Sequence, residues 1–191
     1  MSKPNGLSMK RRKPIQNHTA EHAEAHTQAI TLRPIGVVHS PYTERFGTPR
    51  QPPITQQVLG DEAKPGFIEL HPGHNYDQAL RDLDGFERIW VVFVFHLNHG
   101  WNPMVRPPRG PGHKQGLFAT RAPHRPNPIG LSCLELDRIE GRSVYVRGLD
   151  ILDKTPVLDI KPYIPYADAF PQARAGWLTG LPQHEADQYD D

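Results

Sequence analysis

Ile89-Trp-Val-Val-Phe-Val-Phe95 is apolar at every position and dense in β-branched and aromatic residues. Seven such residues are too few for a buried helix and too uniform for a surface. The run therefore predicts a central strand buried on both faces. A sheet must then be built around it, and the chain supplies short candidates at Leu32–Val38, Phe67–Leu70, Gly116–Thr120, Ser132–Ile139, Ser143–Leu149 and Val157–Ile160. In Ser132–Ile139, Leu134, Leu136 and Ile139 stand against Glu135, Asp137 and Arg138, the partial alternation of a half-buried strand. Glu140-Gly141-Arg142 turns it back into Ser143–Leu149 as a hairpin. One helix is expected from Asn75, an N-cap candidate, with Tyr76, Ala79, Leu80 and Leu83 on one face and Gly85 as a stop.

With 21 Pro and 16 Gly, the chain suits strands joined by turns rather than a helical bundle. No repeated strand-helix-strand pattern appears. The expected fold is mainly β: a single antiparallel sheet curled into a barrel, with one or two short helices outside. The expected barrel domain is 31–170. Residues 1–30 read as a disordered arm carrying Lys10-Arg-Arg-Lys13 and the His18, His22, His26 series, and 171–191 as a C-terminal tail. The single Cys133 cannot form an internal disulfide, so a reducing, cytoplasmic setting is expected. No apolar run approaches the roughly 18 to 20 residues of a membrane span, and the N-terminus lacks an apolar signal core.

A net charge of +1 conceals a segregation of charge along the chain. From Arg88 to Leu134 there are six Lys or Arg and no Asp or Glu, whereas from Asp150 onward eight acids face Lys154, Lys161 and Arg174. The central basic stretch points to a polyanionic ligand, with RNA, DNA or a nucleotide as candidates.

Within it, Gly116–Leu131 breaks into a segment where Pro123, Pro126 and Pro128 fix the backbone around Arg121, His124, Arg125 and Asn127. Polar groups on so stiff a frame predict a binding loop. Arg45–Pro53 is a second stiff loop, presenting Arg50 and Gln51. The series Asp150-Ile-Leu-Asp153-Lys-Thr-Pro-Val-Leu-Asp159-Ile-Lys161 has two readings. Its carboxylates accept hydrogen bonds from ribose hydroxyls or an ammonium group, or take a proton; alternatively they only shape turns.

Other chemistries fit poorly. Gly110-Pro-Gly-His-Lys-Gln-Gly116 matches neither phosphate-loop template. The pairs His71/His74 and His96/His99 with Cys133 fall short of the ligand sets of zinc sites, so no metal is expected. Ser132 and Cys133 lie in an apparent strand without a nucleophile elbow.

Taken together, several stretches resemble the TsaA/YaeB-like family, whose characterised members are tRNA (N6-threonylcarbamoyladenosine) methyltransferases of the TrmO type. They are Ile35-Gly-Val-Val-His-Ser-Pro-Tyr42, Pro49-Arg-Gln-Pro52, Phe93-Val-Phe-His96, Val105-Arg-Pro-Pro-Arg109, Gly116-Leu-Phe-Ala-Thr-Arg121, Arg125-Pro-Asn-Pro-Ile-Gly130, Leu149-Asp150 and Asp159-Ile-Lys-Pro-Tyr163. The resemblance covers most of 32–170.

It implies a single-sheet barrel, S-adenosyl-L-methionine as methyl donor, and methylation of N6 of the modified adenosine at position 37, beside the anticodon. It also implies a homodimer with the cofactor near the subunit interface. Carried over by motif, the cofactor contacts would be Pro49, Arg50, Gln51, His96, Leu97, Arg121, Leu131, Arg147, Gly148, Leu149 and Asp150. Leu97 stands where bacterial relatives often have a polar residue, so its contact is expected through the backbone. Longer members carry a second C-terminal domain, which this chain is expected to lack. A sulfonium donor brings its own activated methyl group, so no protein nucleophile is required. Asp150 or Asp153 is the expected proton acceptor. Arg106, Arg109, Lys114, Arg125, Asn127 and Lys161 would meet the tRNA anticodon stem-loop, and Tyr163 would stack on an exposed base. The competing expectation is a non-catalytic S-adenosylmethionine-binding or RNA-binding module on the same barrel.

Overall fold

The structure is a computed structural model and describes residues 29–44, 65–107 and 112–179. The chain divides into two units, 1–32 and 33–191. Of the first, only 29–32 are described, without regular secondary structure. In the second, six strands close a barrel in the order β1 (Gly36–His39), β2 (Gly66–Leu70), β7 (Ser143–Arg147), β6 (Ile129–Glu140), β3 (Arg88–Val94) and β8 (Pro156–Pro162). Every neighbouring pair, including the closing pair β1 and β8, is antiparallel. The expected mainly β barrel is thus the observed fold. A two-stranded ribbon of β4 (Met104–Val105) and β5 (Gln115–Gly116) stands apart from the ring.

The core fills the barrel with Val38, Ile68, Leu70, Ile89, Val91, Phe93, Leu134, Val144, Val146, Leu149, Ile151 and Val157. Burying each such side chain contributes about 1.5–3 kcal/mol. Gly130 is part of this packing, because a Cβ there would lie 2.3 Å from the Phe93 ring.

Three local expectations are corrected. The β3 run is not buried on both faces: Ile89, Val91 and Phe93 point into the core, while Trp90, Val92 and Val94 are half-buried outside. A barrel strand has one inner and one outer face. The outer face of β3 stays apolar because it is partly covered. The short helix α2 (Pro165–Asp168) brings Asp168 to accept from Trp90 Nε1 at 3.1 Å, and Tyr163 packs on Trp90 with ring centroids 5.7 Å apart.

The helix expected from Asn75 is broken. Helix α1 spans only Tyr76–Ala79, and a 3-10 turn follows at Leu83–Gly85. Asn75 (φ 55°) and Asp82 (φ 67°) are both left-handed, and the Asn75 side chain bonds Gln78 Oε1 at 2.7 Å instead of a backbone N–H. The apolar face does part of its expected job: Leu80 is in the core with Tyr76 and Leu83 packed against it, while Ala79 is exposed.

Gly116–Thr120 is not a strand beyond Gly116. Leu117 N–H donates to Pro103 O at 2.9 Å, and Leu117–Ala119 closes as a 3-10 turn. The hairpin across Gly141 (φ 57°) forms as expected, with Glu140 paired to Ser143.

Register gives the barrel two unlike ends. The exits of β1, β3 and β7 and the entries of β2, β6 and β8 share one end, where His39 pairs with Phe67, Gly66 with Val146, and Phe93 with both Gly130 and Val157. The β6–β7 turn, the entry of β3 and the exit of β8 share the other.

Candidate active site

The long connections leave from the first of these ends, and most of the expected site residues sit on them. After β7, Gly148 turns the chain with φ 68°, a conformation that costs glycine nothing. Leu149 then drops into the core, with the whole residue 1% exposed. Asp150 follows, half-buried, and accepts a hydrogen bond from Ser132 Oγ at 2.8 Å. Ser132 is a buried inward residue of β6, between Gly130 and Leu134. Burial pushes the Tyr42 phenol above its ordinary value, and the negative charge of Asp150 pushes it the same way.

Asp153 is employed differently. Its Oδ1 accepts from Ser40 N–H at 2.9 Å, its own N–H donates to Tyr42 O at 2.8 Å, and Lys154 N–H donates to Val38 O at 2.9 Å. These bonds strap the exit of β1 to the entry of β8. A carboxylate oxygen so placed holds main chain.

The β3 exit is as tightly held. Phe95 N–H donates to Pro128 O at 2.7 Å, joining it to the proline-rich loop, and Asn98 N–H closes a turn on Phe95 O at 3.0 Å. His96 is half-buried in that turn, and Leu97 is 43% exposed at its tip. Leu131, directly opposite Val92, is 56% exposed on the outer wall, and exposed Ile129 stands opposite Val94.

The loop itself is stapled by Arg125, whose Nη1 donates to Thr120 O at 3.1 Å and Ala122 O at 3.3 Å. Arg121 and Asn127 are exposed beside it. Trp177, on a 3-10 turn at Gly176–Leu178, donates from Nε1 to Ala119 O at 2.8 Å. Arg106 and Lys114 line one shallow depression on the ribbon, and His99, Trp101 and His124 line its neighbour. Arg147 is drawn to the barrel wall, 2.5 Å from Asp137 Oδ1.

Lys161 and Tyr163 are not brought to this end. Lys161 pairs in register with Trp90, its Nζ lies 2.6 Å from Asp159, and Tyr163 N–H donates to Arg88 O. At about 3.3 Å per residue, that places Lys161 roughly 13 Å along β8 from Val157. Arg88 also belongs to the far end, 3.8 Å from Glu135. Pro49, Arg50, Gln51 and Arg109 lie outside the described residues. Among the described residues no three His, Cys, Asp or Glu gather as metal ligands, and no helix is long and apolar enough to cross a membrane.

Tyr42 and Ser132 escaped the sequence reading as site residues. Ser132 carried a signal, as a polar residue in the inward series of an otherwise apolar strand face. Tyr42 carried none beyond its place in Ser40-Pro-Tyr42.

Comparison with known proteins adds to this geometry. The chain is 42% identical over 158 residues to the tRNA (adenine(37)-N6)-methyltransferase of Escherichia coli strain K12, covering 79% of this chain and 65% of that protein. It is 40% identical over 149 residues to a probable S-adenosyl-L-methionine-binding protein of Pyrococcus abyssi, covering 78% of this chain and 76% of that one. The crystal structure of TrmO from Pseudomonas aeruginosa superposes with a TM-score of 0.66 at 39% identity, covering 81% of this chain and 65% of that one. The chain thus spans just under two thirds of the length of the E. coli and P. aeruginosa proteins. A sequence profile described as the tRNA-methyltransferase O N-terminal domain matches residues 37–169, and with the barrel and this degree of identity the chain belongs to that family.

Proposed function

We propose that this chain is an S-adenosylmethionine-dependent tRNA methyltransferase acting on N6 of N6-threonylcarbamoyladenosine at position 37. The observation that carries the reading is the convergence, at one barrel end, of a Ser132-held Asp150 with the pinned 95–98 turn and the stapled 116–131 loop. The family and the activity for which the E. coli relative is named support it.

The residues at this end suit the cofactor. Exposed Leu97 and Leu131 offer apolar contact to an adenine. The buried Gly148 turn shapes the backbone that leads to half-buried Asp150, and exposed Arg121 matches a carboxylate. His96, Arg147 and the Pro49–Gln51 loop complete the proposed contacts. When bound, S-adenosylmethionine supplies an activated methyl group on a sulfonium. The chain's task is then alignment, for which stiff loops are suited.

Asp150 is assigned as acceptor of the N6 proton, because it is a half-buried carboxylate at the loop end and one of its partners, Ser132, is a hydroxyl that can reorient. Asp153 positions the β1 exit. Arg106, Lys114 and Asn127 would meet the anticodon stem-loop at this end, and Arg109, outside the described residues, is assigned to the tRNA by its motif. Arg125 contributes chiefly by holding the loop, and Lys161 and Tyr163 would reach only a more distant part of the tRNA. Two copies pair through the outer wall carrying Val92, Val94, Ile129 and Leu131, with the cofactor near that seam, and the enzyme works in the cytoplasm. The barrel domain is 31–170, flanked by an arm and a tail.

Transfer of label from radiolabelled cofactor to threonylcarbamoylated tRNA, with unmodified tRNA as control, tests the activity. Cofactor binding by calorimetry without transfer would indicate a non-catalytic binding module. Absence of both would overturn the cofactor assignment as well.

A further inference from the structure

Phe118 has no place in the chemistry described so far, yet its setting is built with care. It is 77% exposed at the middle of the 3-10 turn Leu117–Ala119, while its neighbour Leu117 is buried at 2%. Single exposed apolar residues are common and usually mean nothing. This one sits on a frame held from several directions. Thr120 Oγ1 donates to Leu117 O at 2.8 Å, Leu117 N–H to Pro103 O at 2.9 Å, Arg125 Nη1 to Thr120 O at 3.1 Å, and Trp177 Nε1 to Ala119 O at 2.8 Å. The Arg125 guanidinium carbon lies 5.6 Å from the ring centroid, within cation–π range. The ring is therefore positioned and backed by a cation while most of its surface meets solvent.

We infer that Phe118 is a stacking platform for an unpaired nucleobase of the RNA substrate. A rigid aromatic with a guanidinium on one side is what a flat, conjugated, polyanion-borne group recognises. Charge favours this occupant over a second copy of the chain: no Asp or Glu occurs from Arg88 to Leu134, and Arg121 is exposed three residues away. The inference rests on the tRNA-methylating reading above, and adds a positioning residue to it. Phe118 would hold a loop base next to the target adenosine, so that the target itself is presented to the Asp150 end of the barrel.

The test uses the full chain, the cofactor and a threonylcarbamoylated anticodon stem-loop. Phe118→Ala should raise the stem-loop Kd and KM by roughly 5- to 150-fold, the range of lost base–aromatic stacking. The cofactor Kd and the thermal midpoint should stay at wild-type values, because the side chain is exposed. Phe118→Trp should restore binding, whereas Phe118→Leu, apolar but without a π-face, should not. Wild-type affinity in the Ala variant, or full rescue by Leu, would overturn the platform. So would unchanged stem-loop affinity with a loss of dimer in sedimentation, which would assign the ring to contact between copies. A wild-type chain that neither binds nor methylates the stem-loop would overturn the proposed function and the platform together, whereas failure of the platform alone leaves wild-type turnover intact.

Discussion

Ser132 Oγ donates to Asp150 Oδ1 at 2.8 Å, joining an inward position of β6 to the chain just past β7. The bond fixes a carboxylate at the end of the barrel from which the long loops leave. Asp150→Asn retains an oxygen to accept the Ser132 proton and removes the group able to take one from the substrate. The single-turnover methylation rate should fall about 10²- to 10⁴-fold, the usual worth of general base catalysis. A loss smaller than tenfold would take Asp150 out of proton transfer.

Arg125 spends its Nη1 protons on two carbonyls of its own loop. Arg125→Ala should therefore speed amide exchange at residues 117–122 and weaken cofactor and tRNA binding together. Arg109→Ala should instead weaken tRNA alone and lower the slope of log K against log salt by about 1, as a phosphate contact does. If Arg125→Ala changed only that slope and left amide exchange at wild-type rates, the staple would be wrong.

Gly130 faces the Phe93 ring so closely that an added Cβ would lie 2.3 Å from it. Neither the ring, buried at the loop end of the core, nor the β3–β6 ladder can yield without loss. Gly130→Ala should lower the urea unfolding free energy by about 1–3 kcal/mol, as overpacking does. Unchanged stability would mean that Phe93 repacks freely.

Hydrogen bonds from Arg138 and then Arg147 hold the Asp137 carboxyl below its ordinary value of 3.8, against a smaller opposing effect of burial. A carboxyl depressed in the folded state stabilises the fold above its unfolded value and loses that contribution as pH falls through the folded one. The effect should thus appear in the acid limb, below about pH 4. Urea unfolding at pH 6 and pH 3 should differ less in Asp137→Asn than in the wild type. An equal difference in both proteins would assign the acid limb to other carboxyls.

The parts of the fold legible in the sequence were those set by neighbours in the chain. The alternation in Ser132–Ile139 and the Gly141 turn are local, and the hairpin follows them. The α1 segment was half legible: apolar spacing placed Leu80 against the core, but nothing announced a left-handed Asp82. Leu117–Ala119 looks like strand and is bent into a turn by a carbonyl of Pro103, a partner that composition cannot name. The site divides in the same way. Asp150 was visible as a carboxylate beyond a strand, whereas its partner Ser132 lies eighteen residues earlier. Tyr42, more distant still, joins them only through barrel closure. Lys161 and Tyr163 show the converse, since charge and aromaticity along a strand do not say which end of the barrel will carry them, and these two lie towards the end opposite Asp150.

The strand pair most distant in sequence is β1 with β8, where Gly36 partners Val157. Positions about 120 residues apart make this a contact of high order, slow to find and late to form. During synthesis, β1 has no partner for its β8 side until β8 leaves the ribosome, and β3 waits for the same strand. Two unpaired edges are then exposed on a nearly finished sheet, a state open to mispairing with other chains. Arrival of a single seven-residue strand, Pro156–Pro162, seals both edges in one event. Truncation within it should therefore yield aggregation rather than a smaller soluble barrel.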